Sequence, residues 1–162
     1  MITGVYGSTV TANLSLEEKR IDTAKVIAKI EYLCKFTNDM TKTVKYCYGK
    51  KNDSKHKDRS VELQFLHHTS EDPFTYKINF KPYGFWKYEI YEVSWIGTVT
   101  VSLGNAPANE DDVLSPAAND KGVVQGLVTK GKMNLSEKDG TQQVQYTQRQ
   151  EPSGTNYIYY GQ

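Results

Sequence analysis

From Val26 onward the chain alternates: Val26, Ala28, Ile30, Tyr32, Cys34 and Phe36 interleave with Ile27, Lys29, Glu31, Leu33 and Lys35. A period of two puts successive side chains on opposite faces, so the spacing predicts a half-buried β-strand over 26–36. The same pattern recurs in 10–16, 44–48, 61–68 and 74–80, then in 85–93, 95–103, 123–135, 142–150 and 156–160. Only 16–29 offers a helix, through Glu17, Glu18 and Lys19, and its β-branched residues argue against one.

Turn residues punctuate these segments. Ser70-Glu71-Asp72-Pro73 predicts a tight hairpin, and Glu151-Pro152-Ser153-Gly154-Thr155 predicts another. Lys50–Arg59 reads as a polar, basic hairpin tip. The expected fold is therefore all-β: one domain over 1–162, an antiparallel β-sandwich or flattened barrel of about 8–10 strands. Its longest irregular stretch is Gly104–Gly122. Two prolines remove donors there, and Ala, Asn and Asp add little apolar area, so its ends should be held by the sheet and its middle free.

Composition narrows the function classes. The chain has 162 residues and a net charge of +1, from 20 Lys+Arg against 19 Asp+Glu. That balance argues against a dedicated nucleic-acid binder. No apolar run approaches the roughly 20 residues of a membrane-spanning helix. The first residues show no secretory signal, so synthesis in the cytoplasm with reduced cysteines is expected, a secreted or virion-associated protein being the alternative. Charge is uneven: residues 1–81 hold 14 basic against 10 acidic side chains, and residues 82–162 hold 6 against 9. Head-to-tail contact between a basic and an acidic end would build rings or filaments.

Catalytic motifs are missing: no nucleophile elbow, no phosphate loop, no dinucleotide fingerprint, no His-Glu-x-x-His and no Cys-x-x-Cys. No cofactor and no metal site are expected. His67 and His68 are neighbours on a strand and point to opposite faces, which makes a shared metal awkward. Cys34 and Cys47 could be opposite neighbours in a hairpin. The register that buries both apolar sets puts their sulfurs on opposite faces, unless a bulge intervenes, so free thiols are expected.

Twelve Tyr, five Phe and two Trp crowd most densely into 83–95. Tyr83, Phe85, Tyr91 and Trp95 fall on one parity, Trp86 and Tyr88 on the other. Either the surplus lies under the 104–122 loop, or it forms an exposed platform for a sugar ring or a protein partner. The basic Lys50, Lys51, Lys55, Lys57 and Arg59 could dock on the acidic Glu110, Asp111 and Asp112 of another copy. A Gln-rich strand at 142–150 reads as a sheet edge. Together these features lead to a non-catalytic structural protein that acts by contact with other copies of itself or a protein partner, like a subunit of a viral particle, phage tail or appendage. The alternative is a carbohydrate- or ligand-binding module.

Overall fold

A computed structural model describes residues 1–52, 59–114 and 119–138. The expected strands at 142–150 and 156–160 lie outside the described residues. Among the described residues the chain is mostly β and forms two sheets, neither of them closed. The strands are β1 (Ile2–Val5), β2 (Val10–Leu14), β3 (Ile30–Asn38), β4 (Val44–Tyr48), β5 (Lys50–Lys51), β6 (Val61–His67), β7 (Lys77–Ile78), β8 (Gly84–Ser94) and β9 (Val123–Ser136). The first sheet runs β1-β9-β8-β3-β4; the second runs β2-β6-β5, with β7 alongside β6.

The alternating segments place the main core. Tyr32, Cys34 and Phe36 of β3 meet Trp86, Tyr88 and Ile90 of β8 with Met133 and Leu135 of β9. Val10, Ala12, Val61, Leu63 and Phe65 of the second sheet complete it. At its centre Phe36 meets Phe65 and Phe80 edge-to-face, with ring centroids 5.2 and 4.9 Å apart.

Several expectations are corrected. Residues 26–29 do not begin the third strand; a 3₁₀ turn over Ile27–Lys29 precedes it. Segment 74–80 is mostly not strand either. Pro73 starts a 3₁₀ turn, the Asp72 side chain accepts the Phe74 N–H, and the turn ends at Tyr76 with φ of 53°. The strand that follows, β7, is parallel to β6, so Ser70–Pro73 is no hairpin. β1 also pairs in parallel, with β9, so the architecture is not purely antiparallel. Residues 95–103 form no strand; they start a long excursion across the outer face of the first sheet.

That excursion makes a second core. Leu33, Tyr48, Val93, Trp95 and Ala106 are buried together, with Tyr46, Phe74, Tyr91, Val99, Val101 and Val124 packed against them. The first sheet is thus covered on both faces, and this overturns the cysteine argument. Cys34 stands directly opposite Cys47, and both thiols are free and buried in the main core. Tyr46 and Tyr48, the apolar set that alternates with Cys47, face the second core and not the main one.

The 104–122 loop is tied down on both arms. The Trp95 indole N–H donates to the Asp120 carbonyl at 3.0 Å, and the Tyr48 hydroxyl to the Pro107 carbonyl at 2.8 Å. Gly97 N donates to the Asn119 carbonyl at 2.7 Å, and Gly122 N to the Asn105 carbonyl at 2.8 Å. Of the middle expected to be free, Asn105 and Pro107 are held by these bonds, and residues 115–118 lie outside the described residues.

Candidate functional site

The six aromatic residues singled out in 83–95 do not share one surface. Trp86 and Trp95 are both fully buried, in different cores, and Tyr88 is buried with Trp86. The Trp86 N–H donates to the Pro82 carbonyl at 3.1 Å. Tyr91 is half-buried, its hydroxyl 3.4 Å from Glu89 Oε2. Only Tyr83 and Phe85 are exposed, and the Tyr83 hydroxyl donates to Glu137 at 2.7 Å. A continuous exposed platform therefore does not form. With cores on both sides of β8, aromatics of either parity are buried.

The charged residues proposed for docking divide in a similar way. Lys51 pairs with Glu31 at 3.1 Å, and Arg59 with Glu18 at 3.2 Å. Lys55 and Lys57 lie outside the described residues. Glu110 folds back onto the first sheet and binds Lys35, which also lies 3.7 Å from Glu89. Burial works against the Glu110 carboxylate, but hydrogen bonds to Lys35 and Tyr46 outweigh it and lower its pKa. The Tyr46 phenol is pushed up to about 12, first by burial and then by Glu110. Asp112 Oδ2 accepts the Ala108 N–H at 2.9 Å, while Asp111 stays exposed. His68 Nδ1 closes a turn with Ser70, and His67 packs edge-to-face on Tyr6 with centroids 5.0 Å apart. Among the described residues no three His, Cys, Asp or Glu side chains are grouped to hold a metal ion.

Two surfaces carry chemistry instead. The first is the edge of β9. Its last four residues pair with β1 and residues 123–135 run along β8, so among the described residues the stretch 123–132 has no strand on its other side. Gly126 has φ of 145°, a conformation that favours glycine, and sits where the β8–β9 register skips. Val123 and Leu127 are exposed along this strand. At its start the 110–114 segment adds Asp111, Asp112 and the almost fully exposed Val113 around a notch of about 300 Å³. At its other end Lys130 and Lys132 are exposed.

The second surface is a cleft of about 370 Å³ where β4 passes through Gly49 into β5 and so changes sheet. Leu63 crowds Gly49 so closely that a Cβ there would lie 2.9 Å from Leu63 Cβ. Phe74, stacked on Tyr48 at 6.1 Å, lines the cleft together with Tyr76, Lys50, Lys51 and Glu31. A smaller notch of about 140 Å³, lined by Thr9, Gln64 and Leu66, shares Lys50 and Tyr76 with it. Sequence reasoning singled out Lys50 but missed Phe74 and Tyr76. Only the Asp72-Pro73 turn hinted that this segment was not plain strand.

No helix among the described residues is long and apolar enough to cross a membrane. The chain matches no known protein-family profile, no curated protein and no solved structure.

Proposed function

We propose that this chain is a non-catalytic β-sandwich that works by assembly, two copies pairing antiparallel along the free edge of β9. The observation that carries the reading is that edge: ten residues, about 33 Å of strand, bordered by exposed Val113, Val123 and Leu127. Exposed strand edges recruit other strands. In a two-fold pairing centred near Leu127, residue 123 of one copy faces residue 132 of the other. Lys130 and Lys132 of one copy then approach Asp111 and Asp112 of the other, twice over. Lysines and bulges on an edge deter indiscriminate pairing, and acidic groups placed opposite them favour the correct partner. A particle or appendage subunit is the setting this suits. The Glu110 carboxylate, already bound to Lys35, is not part of the proposed contact.

Sedimentation at micromolar concentration tests this. A dimer is expected that weakens with salt, because exposed charges are screened beyond about 8–10 Å at physiological ionic strength. Lys130→Glu with Lys132→Glu should weaken it at least about 10-fold, and Asp111→Lys in the same chain, which spares the Asp112 bond to Ala108, should restore it in part. A monomer at all concentrations, or no rescue by the charge swap, defeats the proposal.

A further inference from the structure

The cleft at the sheet junction supports a second inference, independent of the assembly reading. We infer that it binds a pyranose ring bearing one carboxylate, an acidic sugar.

The cleft's charge is decided by three side chains. Lys51 is paired with Glu31 and also donates to the Ile30 carbonyl, so those two charges compensate each other. Lys50 has no carboxylate partner among the described residues; its ammonium lies 5.5 Å from the centre of the Tyr76 ring. Among the described residues the site therefore offers one uncompensated cation, held over an aromatic face, which calls for a single negative charge on the ligand.

Tyr76 bears a second mark of function. A bulky residue in the left-handed region is a genuine outlier, and such strain gathers at binding and catalytic sites. The strained backbone is held in place: the Leu66 N–H donates to the Tyr76 carbonyl at 2.8 Å, and the Asp72 side chain fixes the turn before it. Glycine would relieve the strain, yet the chain has an aromatic ring there, turned toward Lys50.

Shape and polarity narrow the class further. The two compartments, about 370 and 140 Å³, fall in the range of small-ligand sites. Phe74 and Tyr76 provide flat apolar faces. Around them stand the Gln64 amide and the Thr9 hydroxyl, which donate to and accept from hydroxyl groups, and the Glu31 carboxylate, which accepts from them. A ring with an apolar C–H face, several hydroxyls and one carboxylate satisfies all three kinds of wall. A purely aromatic acid would leave the polar ones unmatched, and a neutral sugar would leave Lys50 unmatched.

Saturation-transfer NMR and calorimetry with glucuronate, glucose, benzoate and methyl β-glucuronide at matched ionic strength test this. Glucuronate should bind saturably, with glucose and benzoate at least about 10-fold weaker. Methyl glucuronide separates the sources: binding equal to the free acid points to the end of a glycan chain, and loss of it to a free sugar acid. Lys50→Gln should reduce glucuronate to the level of glucose. Tyr76→Gly should abolish binding; because that ring also packs against the main core, retention of the native circular-dichroism spectrum is checked alongside, and Lys50→Gln, which leaves that packing intact, separates lost binding from misfolding. Absence of saturable glucuronate binding, equal binding of glucose, or full binding by either variant overturns the inference.

Discussion

Replacing Gly122 by alanine should loosen the loop that closes the second core. A Cβ at this position would sit 2.6 and 2.8 Å from Trp95 Cζ2 and Cε2, and 2.9 Å from Val93 Cγ1. None of these atoms is the free end of a flexible chain: Trp95 is fully buried and tied to Asp120 by its indole N–H. Overpacking of this kind costs about 1–3 kcal/mol. If the backbone recoils, the bond from Gly122 N to Asn105 goes too, about 1 kcal/mol more. Restricting the unfolded chain returns about 0.4–1 kcal/mol. The net loss is about 1–3 kcal/mol, a fall in melting temperature of about 3–10 °C for a chain of this size. Urea unfolding followed by tryptophan fluorescence measures it. Limited proteolysis should cut within 98–121 earlier in the variant than in the parent. Trp95→Phe in the same chain should recover part of the loss, because the smaller ring leaves room for the new methyl. An unchanged midpoint together with unchanged resistance of 98–121 would refute the packing described here.

Three further outcomes are expected. The phenols of Tyr32, Tyr46 and Tyr48 are all raised, each chiefly by burial. With folded values above the unfolded value of about 10, their contribution to stability is complete below pH 10 and is lost as pH rises through about 12 for Tyr46. Absorbance at 295 nm should show these three ionising only as the protein unfolds; early titration of all the tyrosines in a folded protein contradicts this. Glu110 is lowered, so its stabilisation is present above the unfolded carboxyl value and is lost as pH falls through the folded one. Glu110→Gln should cost about 1–2 kcal/mol at neutral pH and flatten the acid limb of stability against pH; an acid limb identical to the parent's counts against the Lys35 pairing. Cys34 and Cys47 are buried, and burial raises both thiols, so an aromatic disulfide reagent should label neither until the chain unfolds; rapid labelling of two thiols in the native protein would show the core to be open.

Much of the strand structure was legible. Alternation over 30–36, 44–48, 61–67, 85–93 and 123–135 marked strands that form, and the inward side of β3, Tyr32 with Cys34 and Phe36, was correctly placed. A side-chain period of two needs no tertiary information, because it follows from the geometry of the extended chain. Tyr76 shows where such a pattern fails. Phe74, Tyr76, Ile78 and Phe80 alternate well, yet the preceding Asp-Pro pair starts a local turn whose capping bond competes with the sheet. Of the candidate surfaces, Lys50 and the acidic 110–112 segment could be named in advance, but their partners could not.

What the tertiary structure decided is which face belongs to which neighbour. Alternation says that a strand has two faces, but not that both are covered. Residues 95–106 fold over the first sheet and convert its outer face into a second core, and for that reason Trp95 is buried and Cys34 faces Cys47. The parallel pairing of β1 with β9 joins residues more than a hundred positions apart, and nothing local in Ile2–Val5 announces it. The cleft at the sheet junction draws its walls from Ala28, Glu31, residues 48–51, Phe74, Tyr76 and Val101. Local sequence sets the conformation of each strand because its sterics are local; pairings and clefts depend on burial and chain closure summed over the whole molecule.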